Sequence, residues 1–328
     1  MANEVLDILD PKPAHTIIDM TFGGGGHSQM ILQRAATLKL IAADRDPLAF
    51  RLAQSLSQQC RGSQLSVVPV LGRFSELPHN LSALGIEKGS VDSFLFDLGA
   101  SSMQYDTPER GFSLSRDGPL DMRMDGDRFP DDPTAADVVN NLDANDLHSV
   151  FRGYGEERLS RSIAQAIVDA RYAFGNITRT QQLAKIVDTV FEGNHKQDKL
   201  QRHSHPATKV FQALRILVNN ELNELHNGLE VAWQYLRPGG RCVVIAFHSL
   251  EDRIVKRHFH GIEMDAQANM RVGDHHRNSA IVEPVELVVG MLSKRWKPVS
   301  RKVLTPTVDE ISSNPRCRSA KLRAATKR

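Results

Sequence analysis

The sequence predicts an α/β fold in which a Rossmann-like parallel sheet is interrupted by a mostly helical insertion. Over the first 98 residues, short apolar runs alternate with helix-length segments, a pattern typical of βαβ units and a parallel sheet. The strand pattern then stops and resumes only at residues 241–247. The chain has 328 residues, 41% of them hydrophobic, which is enough for one α/β domain with an insertion.

Four apolar runs of strand length precede the insertion. Between the second and third runs, residues Pro47–Gln58 have helical periodicity, and a proline favours the first helical turn, which it occupies here. Parallel strands need such crossover segments, because a short hairpin cannot connect them. The predicted strands are His15–Met20, Leu38–Ala43, Leu65–Val70 and Val91–Leu98.

The segments after the fourth strand change in character along the chain. Residues 105–135 are rich in Asp, Arg, Gly and Pro, whereas residues 143–200 have helical periodicity. We predict Ala207–Leu236 as one long amphipathic helix, which ends at the Arg-Pro-Gly-Gly sequence that follows. Beyond the resumed strand, we expect a helix at Ser249–His260 and another strand at Val285–Val289.

These patterns and the charge divide the chain into four predicted segments. Residues 1–104 and 206–289 form the sheet domain, residues 105–205 form the insertion, and residues 290–328 form a basic C-terminal segment. The whole chain has a net charge of +2, but residues 290–328 alone carry +9 and the remainder −7. Such a segment, with Trp296 inside it, favours contact with RNA phosphates, although a solvated tail has the same composition.

Composition excludes several classes of protein. No run approaches the ~20 apolar residues needed to cross a bilayer, so we expect no membrane partner. The three cysteines, Cys60, Cys242 and Cys317, are far apart and form no CxxC pair. This argues against a zinc knuckle, an iron–sulfur site or a disulfide scaffold, and it fits a reducing compartment.

A glycine-rich loop follows the first predicted strand. It runs from Asp19 through Gly23–Gly26 to His27 and opens a helix. Glycines allow close backbone approach to a ligand, although a tight turn without a ligand is the alternative. Asp44 ends the second strand, where a carboxylate can accept both ribose hydroxyls, and Asp97 ends the fourth. The sequence therefore predicts a cofactor crevice at this edge of the sheet.

Three classes of cofactor compete for this loop. A P-loop needs Gly-Lys-Ser/Thr after the glycines, and His27-Ser28 lacks the lysine. A dinucleotide site needs G-x-G-x-x-G, and the third glycine is missing. S-adenosylmethionine has no phosphate, and Asp19 before the loop suits its methionine end. The residues therefore favour S-adenosylmethionine over a dinucleotide.

At this point the motifs match a known family. The chain closely resembles the RsmH/MraW methyltransferases, which methylate N4 of a cytidine in small-subunit ribosomal RNA. Residues 107–132 look most like the mitochondrial branch of that family. The matching motifs are DMTFGGGGHS (19–28), AADRDP (42–47), DLGASSMQ (97–104), ERGFS (109–113), DGPLDMRMD (117–125), HPATKVFQALRILVNNEL (205–222), GGRCVVIAFHSLEDRIVKRHF (239–259) and NPRCRSAKLRAA (314–325).

The resemblance implies a class I S-adenosylmethionine methyltransferase sheet, with an insertion that helps to recognise RNA. It assigns one residue to the ribose and one to a position near the adenine, Asp44 and Phe74 respectively. Gly25, Gly26 and His27 occupy the cofactor loop. The predicted cofactor-binding set is Asp19, Gly25, Gly26, His27, Asp44, Phe74, Asp97 and Gln104.

The chemistry of the reaction suggests further roles. The exocyclic amine of cytosine is a poor nucleophile, because its lone pair is delocalised into the ring, and it must be held in line with the methyl group. Asp97 is the candidate acceptor of a hydrogen bond from this amine; the alternative is that Asp97 only binds the cofactor. The candidate substrate-binding residues are Ser101, Ser102, Arg110, Asp121, Arg123, Asp125 and His248.

These candidates have plainer alternatives. The serines can cap a helix, the charged loop residues can pair with one another, and His248 can be structural. The paired histidines at residues 203–205, 258–260 and 275–276 lack cysteine partners, so we predict no metal.

Partners and location follow from the resemblance. The expected partner is small-subunit ribosomal RNA or a precursor of the small subunit, and a homodimer stays open. Family members usually carry a short HxPV segment where this chain has Met1-Ala2, so a transit peptide is expected to be missing. The expected location is the mitochondrial matrix, with the bacterial cytoplasm as the alternative. Rival functions are a methyltransferase for a non-RNA substrate and a non-catalytic RNA-binding assembly factor.

Overall fold

The computed structural model describes residues 1–191, 205–261, 295–300 and 302–328. The chain forms two compact units. The first contains residues 1–99 and 222–328, and the second contains residues 100–221. The second unit is thus longer at both ends than the insertion predicted at residues 105–205.

The first unit is built on a seven-stranded sheet in the order β3-β2-β1-β4-β5-β7-β6. Strands β1 to β5 are parallel, and β7 is antiparallel to both of its neighbours. The mixed sheet and the helical second unit confirm the predicted α/β fold with a helical insertion. The strands are β1 His15–Asp19, β2 Leu38–Asp44, β3 Leu65–Leu71, β4 Val91–Asp97, β5 Leu236–Ala246, β6 Trp296–Pro298 and β7 Lys321–Lys327.

Helices flank this sheet along the chain. The predicted crossover helix begins at Pro47, and the side chain of Asp46 accepts a hydrogen bond from Leu48 N as its N-terminal cap. The described helices of the first unit are α1 Ala2–Leu9, α2 Gly26–Leu32, α3 Pro47–Gln59, α4 Leu77–Ala83, α12 Ser249–His260 and α13 Val308–Ser313, together with α11 Glu221–Tyr235 from its second residue onward. No described helix is long and apolar enough to cross a membrane.

The register of the central strands places three aspartates at one edge of the sheet. Asp19, the last residue of β1, pairs with Ala42 of β2 and Leu95 of β4. Asp44 and Asp97 therefore lie two residues further along the two flanking strands. The loop after β1 emerges between two longer strands, which can hold it from both sides.

The second unit is helical and has its own core. Its helices are α5 Ser102–Asp106, α6 Ala135–Asn141, α7 Ala144–Gly153, α8 Ser160–Phe174, α9 Thr180–Phe191 and α10 Thr208–Val218. Fully buried residues at helical spacing, such as Ile163 and Ile167 on α8, face this core. Gly111 has a φ of +78°, and a Cβ there would collide with the carbonyl oxygen of Pro119, so no other residue fits this turn.

The single long helix predicted over residues 207–236 is wrong, because the chain forms two helices, α10 and α11. The break lies at Asn219 and Asn220, and Asn220 adopts a left-handed conformation with φ of 50°. The Asn219 side chain accepts a hydrogen bond from Met124 N at 2.7 Å and donates one to Met122 O at 2.7 Å. This amide holds the preceding loop, and the apolar spacing on both sides continues across the break.

The C-terminal segment predicted as a separate basic tail also needs correction. Its described parts supply β6 and β7, two strands of the sheet. Alternating residues of β7, such as Leu322 and Ala324, are apolar and are buried in the sheet, and this burial stabilises the strand there. Trp296 is only 1% exposed and packs on Phe259, so its ring is unavailable to RNA. The strand predicted at Val285–Val289 lies outside the described residues.

Candidate active site

Asp44 organises the crevice at the end of β2. One carboxylate oxygen accepts a hydrogen bond from Gly23 N at 2.8 Å, and the other accepts one from Asp46 N at 2.8 Å. Burial raises the pKa of Asp44 to about 6, and these two hydrogen bonds oppose that rise. Each oxygen keeps a second lone pair, so the carboxylate can still accept a pair of ribose hydroxyls, as predicted.

The glycine loop leaves its backbone open to a ligand. Gly25 is left-handed, with φ of +78°, and a Cβ there would lie 2.7 Å from the Phe22 ring. At Gly24 and Gly26, by contrast, a Cβ would meet nothing within 4 Å. The loop is therefore tightly folded on its inner side and uncovered on its outer side.

Asp19 supports this loop from beneath. Its carboxylate is 1% exposed and accepts hydrogen bonds from Ser28 Oγ at 2.7 Å and Thr21 N at 3.1 Å. Burial raises the pKa of Asp19 against the effect of the Ser28 hydrogen bond. Because Asp19 is almost fully buried and each of its oxygens accepts a hydrogen bond from the loop, it positions the loop in this structure. Its contact with the methionine end of the cofactor stays a prediction.

Asp97 and His27 form a pair at the same edge. His27 Nε2 lies 3.5 Å from Asp97 Oδ2, and both side chains are partly exposed. Burial lowers the pKa of His27, but the hydrogen bond and charge of Asp97 outweigh it, so the pKa lies above its ordinary value. Asp97 N donates to Thr21 Oγ1 at 2.6 Å, which fixes the end of β4 to the glycine loop.

The predicted adenine-side residue, Phe74, is held by two contacts. Its ring meets Phe96 edge-on, with ring centres 5.5 Å apart. Gly228 on α11 packs against it, since a Cβ there would lie 3.0 Å from the Phe74 ring. Glu224, one turn earlier on α11, accepts hydrogen bonds from both Ser75 N and Ser75 Oγ. The loop after β3 is thereby fixed to α11.

His248 occupies the N-terminal cap of α12. Its side chain accepts a hydrogen bond from Glu251 N at 3.5 Å, and the Glu251 carboxylate reaches back to Phe247 N. The side chain is only 7% exposed. This geometry favours a structural role for His248, as the N-terminal cap of α12, over contact with the substrate.

The candidates in the second unit are mostly engaged with their own chain. Ser101 and Gln104 cap α5 reciprocally, and Gln104 is 4% exposed. Ser102 begins α5 and is exposed. Of the predicted ligands in this helix, Ser102 alone therefore presents an accessible hydroxyl within the described part of the chain.

The charged loop is a self-paired network. Arg123 makes a two-pronged ion pair with Asp121 at 2.8 and 2.9 Å, and this raises the pKa of Arg123. Arg110 donates to the carbonyl oxygens of Arg123 and Met124. Asp125 is 3% exposed and pairs with Arg128 at 3.0 Å. The charges shape the loop, as the alternative interpretation expects.

Several functional positions were not predicted. Thr21, Ser28, Asp46 and Glu224 hold the loops around the crevice through the hydrogen bonds given above. Thr21, Ser28 and Asp46 lie inside the motifs already quoted. The available signal was the position of Thr21 and Ser28 beside the glycines and of Asp46 beside Asp44. Glu224 lies far along the chain in an amphipathic helix, where no local pattern marks it.

The residues of the first unit fit S-adenosylmethionine. The Asp44 carboxylate offers a ribose acceptor, the uncovered glycine backbone admits a polar chain, and the Phe74 ring offers a flat surface for adenine. The loop has no lysine to contact phosphates, which a site for a nucleoside triphosphate would need. When bound, the cofactor supplies an electrophilic methyl group on a sulfonium.

We predict that Asp44→Asn weakens S-adenosylmethionine binding at least about tenfold, because asparagine offers one acceptor oxygen where two are used. The measurement is the dissociation constant by isothermal titration calorimetry. Asp46→Asn is the matched control, since asparagine caps helices as well as aspartate does. Equal affinities for wild type and Asp44→Asn would contradict the ribose assignment.

We also predict that cofactor affinity falls about tenfold as the pH drops from about 7.5 to about 5, because Asp44 protonates below its pKa of about 6. Stability should change in the opposite sense. The folded pKa is above the unfolded value, so the contribution of Asp44 to stability is fully present below about pH 4 and is lost as the pH rises through about 6. The affinity profile of Asp44→Asn against pH contains the titration of His27, so subtracting it from the wild-type profile leaves the contribution of Asp44. A difference that does not vary with pH would refute the assignment of this titration to Asp44.

Curated relatives match this chain over its whole length. The chain is 50% identical over 340 residues to the 12S rRNA N(4)-cytidine methyltransferase METTL15 of Homo sapiens, covering 100% of this chain and 81% of that protein. It is 47% identical to the probable methyltransferase-like protein 15 homolog of Drosophila melanogaster, covering 100% of this chain and 91% of that protein.

A bacterial relative matches over the same length. The ribosomal RNA small subunit methyltransferase H of Parvibaculum lavamentivorans is 41% identical, covering 99% of this chain and 87% of that protein. The family model described as the MraW methylase family matches residues 1–328. The chain belongs to the MraW methylase family.

Proposed function

We propose that this protein transfers a methyl group from S-adenosylmethionine to N4 of a cytidine in small-subunit ribosomal RNA. The observation that carries the proposal is full-length similarity, at 50% identity, to a protein named as a 12S rRNA N(4)-cytidine methyltransferase. The crevice formed by Asp44, the glycine loop and Asp97 supports it. The relatives named for 12S rRNA favour a mitochondrial small subunit as the source of the substrate.

In this proposal Asp97 acts on the amine of the cytosine. His27 lies beside Oδ2 of Asp97, and no described residue donates to Oδ1. Oδ1 can therefore accept a hydrogen bond from N4 and receive its proton as the N–C bond forms. The hydrogen bond favours a pyramidal nitrogen, whose lone pair is localised. His27, with its raised pKa, keeps the Asp97 carboxylate oriented.

The target base must be unpaired, because N4 is engaged in pairing within a duplex. The protein therefore acts on a single-stranded or extruded cytidine.

Part of the basic C-terminal segment supports RNA contact. Arg323 pairs with Asp252 at 2.6 Å, and Lys327 donates to Leu236 O, so these two cations stabilise the sheet. Lys297, Lys302 and Arg318 are exposed and have no acidic partner among the described residues. These three charges are among those in the described part of the segment that are available to phosphates.

We predict that replacing Lys297, Lys302 and Arg318 together by alanine weakens RNA binding and reduces the slope of log affinity against log salt by about two to three. The measurement is fluorescence anisotropy with labelled small-subunit RNA over a salt series. The matched control replaces three exposed cations elsewhere in the first unit, Arg51, Arg61 and Lys88. An equal loss of RNA affinity in both triple variants would contradict the proposal that Lys297, Lys302 and Arg318 form a specific RNA-binding surface.

We predict that Asp97→Ala lowers kcat at saturating cofactor by about 100-fold or more, because the amine loses its acceptor. The measurement is transfer of a radiolabelled methyl group to purified small-subunit RNA, followed by nucleoside mass spectrometry. Calorimetry of cofactor binding separates the two roles of Asp97. A raised dissociation constant with unchanged kcat would assign Asp97 to the cofactor alone.

A further inference from the structure

Two aromatic rings stand almost fully in solvent at the end of α8. Tyr172 is 82% exposed and Phe174 is 90% exposed. Every other exposed large hydrophobic side chain among the described residues is aliphatic, and most are far less exposed. Aromatic rings usually bury most of their area in a fold, so a pair left open marks an interaction surface.

Helical geometry explains why neither ring has a partner in its own unit. Phe174 continues the buried stripe of Ile163 and Ile167, but it is the last helical residue and lies beyond the core. Tyr172 falls on the opposite side, in line with Arg161 and Gln165 on the exposed face of α8. The two rings therefore flank the last turn of the helix from opposite sides.

Cationic side chains accompany the two rings along α8. The helix carries Arg161, Arg171 and one acidic residue, Asp169, and Arg158 lies two residues before its start. Arg158 and Arg161 are exposed and have no acidic partner in the described ranges. Arg171 donates to two backbone carbonyls, and its guanidinium lies 5.8 Å from the centre of the Tyr172 ring. This arginine holds positive charge beside the Tyr172 ring.

We propose that Tyr172 and Phe174 form a two-sided stacking platform, in which each ring stacks on a different unpaired nucleotide of the RNA substrate. Every base has a π-face, so stacking on aromatic rings tolerates sequence, while nearby cations contact the phosphates. A purely apolar partner surface would leave the charges of Arg158 and Arg161 uncompensated. The identity of the ligand as RNA rests on the proposed function.

The test uses the full chain and three double variants. Tyr172→Ala/Phe174→Ala removes both rings, Tyr172→Leu/Phe174→Leu keeps apolar bulk without a π-face, and Tyr172→Phe/Phe174→Tyr keeps both rings. Val308→Ala, at an aliphatic residue that is 78% exposed, is the control. The probe is a labelled single-stranded oligocytidylate, compared with the same strand annealed to its complement, and the readout is anisotropy. Thermal unfolding checks that each variant is folded.

We expect the alanine and leucine pairs to weaken single-strand binding at least about tenfold and to leave duplex binding unchanged. The exchanged-ring pair and the Val308 control should bind as wild type does. Wild-type affinity in the alanine pair would overturn the platform, and retained binding in the leucine pair would indicate apolar docking of another protein instead. If the platform fails while wild-type protein still methylates ribosomal RNA, the proposed function stands. Absence of methylation by wild type would refute that function itself.

Discussion

The Asp44 carboxylate, with its two backbone hydrogen bonds, is the interaction on which the candidate site depends. It ties the glycine loop to the end of β2, while Thr21 ties the same loop to Asp97 at the end of β4. These ties are available because the register of the parallel strands carries Asp44 and Asp97 two residues beyond Asp19. Burial raises the pKa of Asp44 to about 6, so keeping this carboxylate ionised at neutral pH lowers the stability of the ligand-free fold. In return, the carboxylate offers two acceptor oxygens to a ligand.

The two units divide the work that the proposed function requires. Residues 1–99 and 222–328 supply the acceptors, the open glycine backbone and the Phe74 ring. In residues 100–221, Arg110, Asp121 and Arg123 form hydrogen bonds and an ion pair within one loop and stabilise its conformation. Ser102, the two aromatic rings of α8 and the arginines Arg158 and Arg161 are exposed groups of that unit that a substrate can contact.

Local patterns predicted the first four strands, their connecting helix and the glycine loop, because strand alternation and turn chemistry act over a few residues. The break at Asn219 escaped prediction, because the amide is satisfied by Met122 and Met124 about a hundred positions earlier. The entry of β7 into the sheet escaped it as well, since its basic residues pair with Asp252 only after folding. Charge counts alone cannot separate a cation in an ion pair from one that is free to bind phosphate.

The most direct test of the central claim is nucleoside mass spectrometry of small-subunit ribosomal RNA from cells that lack this protein. We predict that N4-methylcytidine is lost at one position, and that wild-type protein restores it whereas Asp97→Ala does not. An unchanged modification profile in the deficient cells would contradict the account.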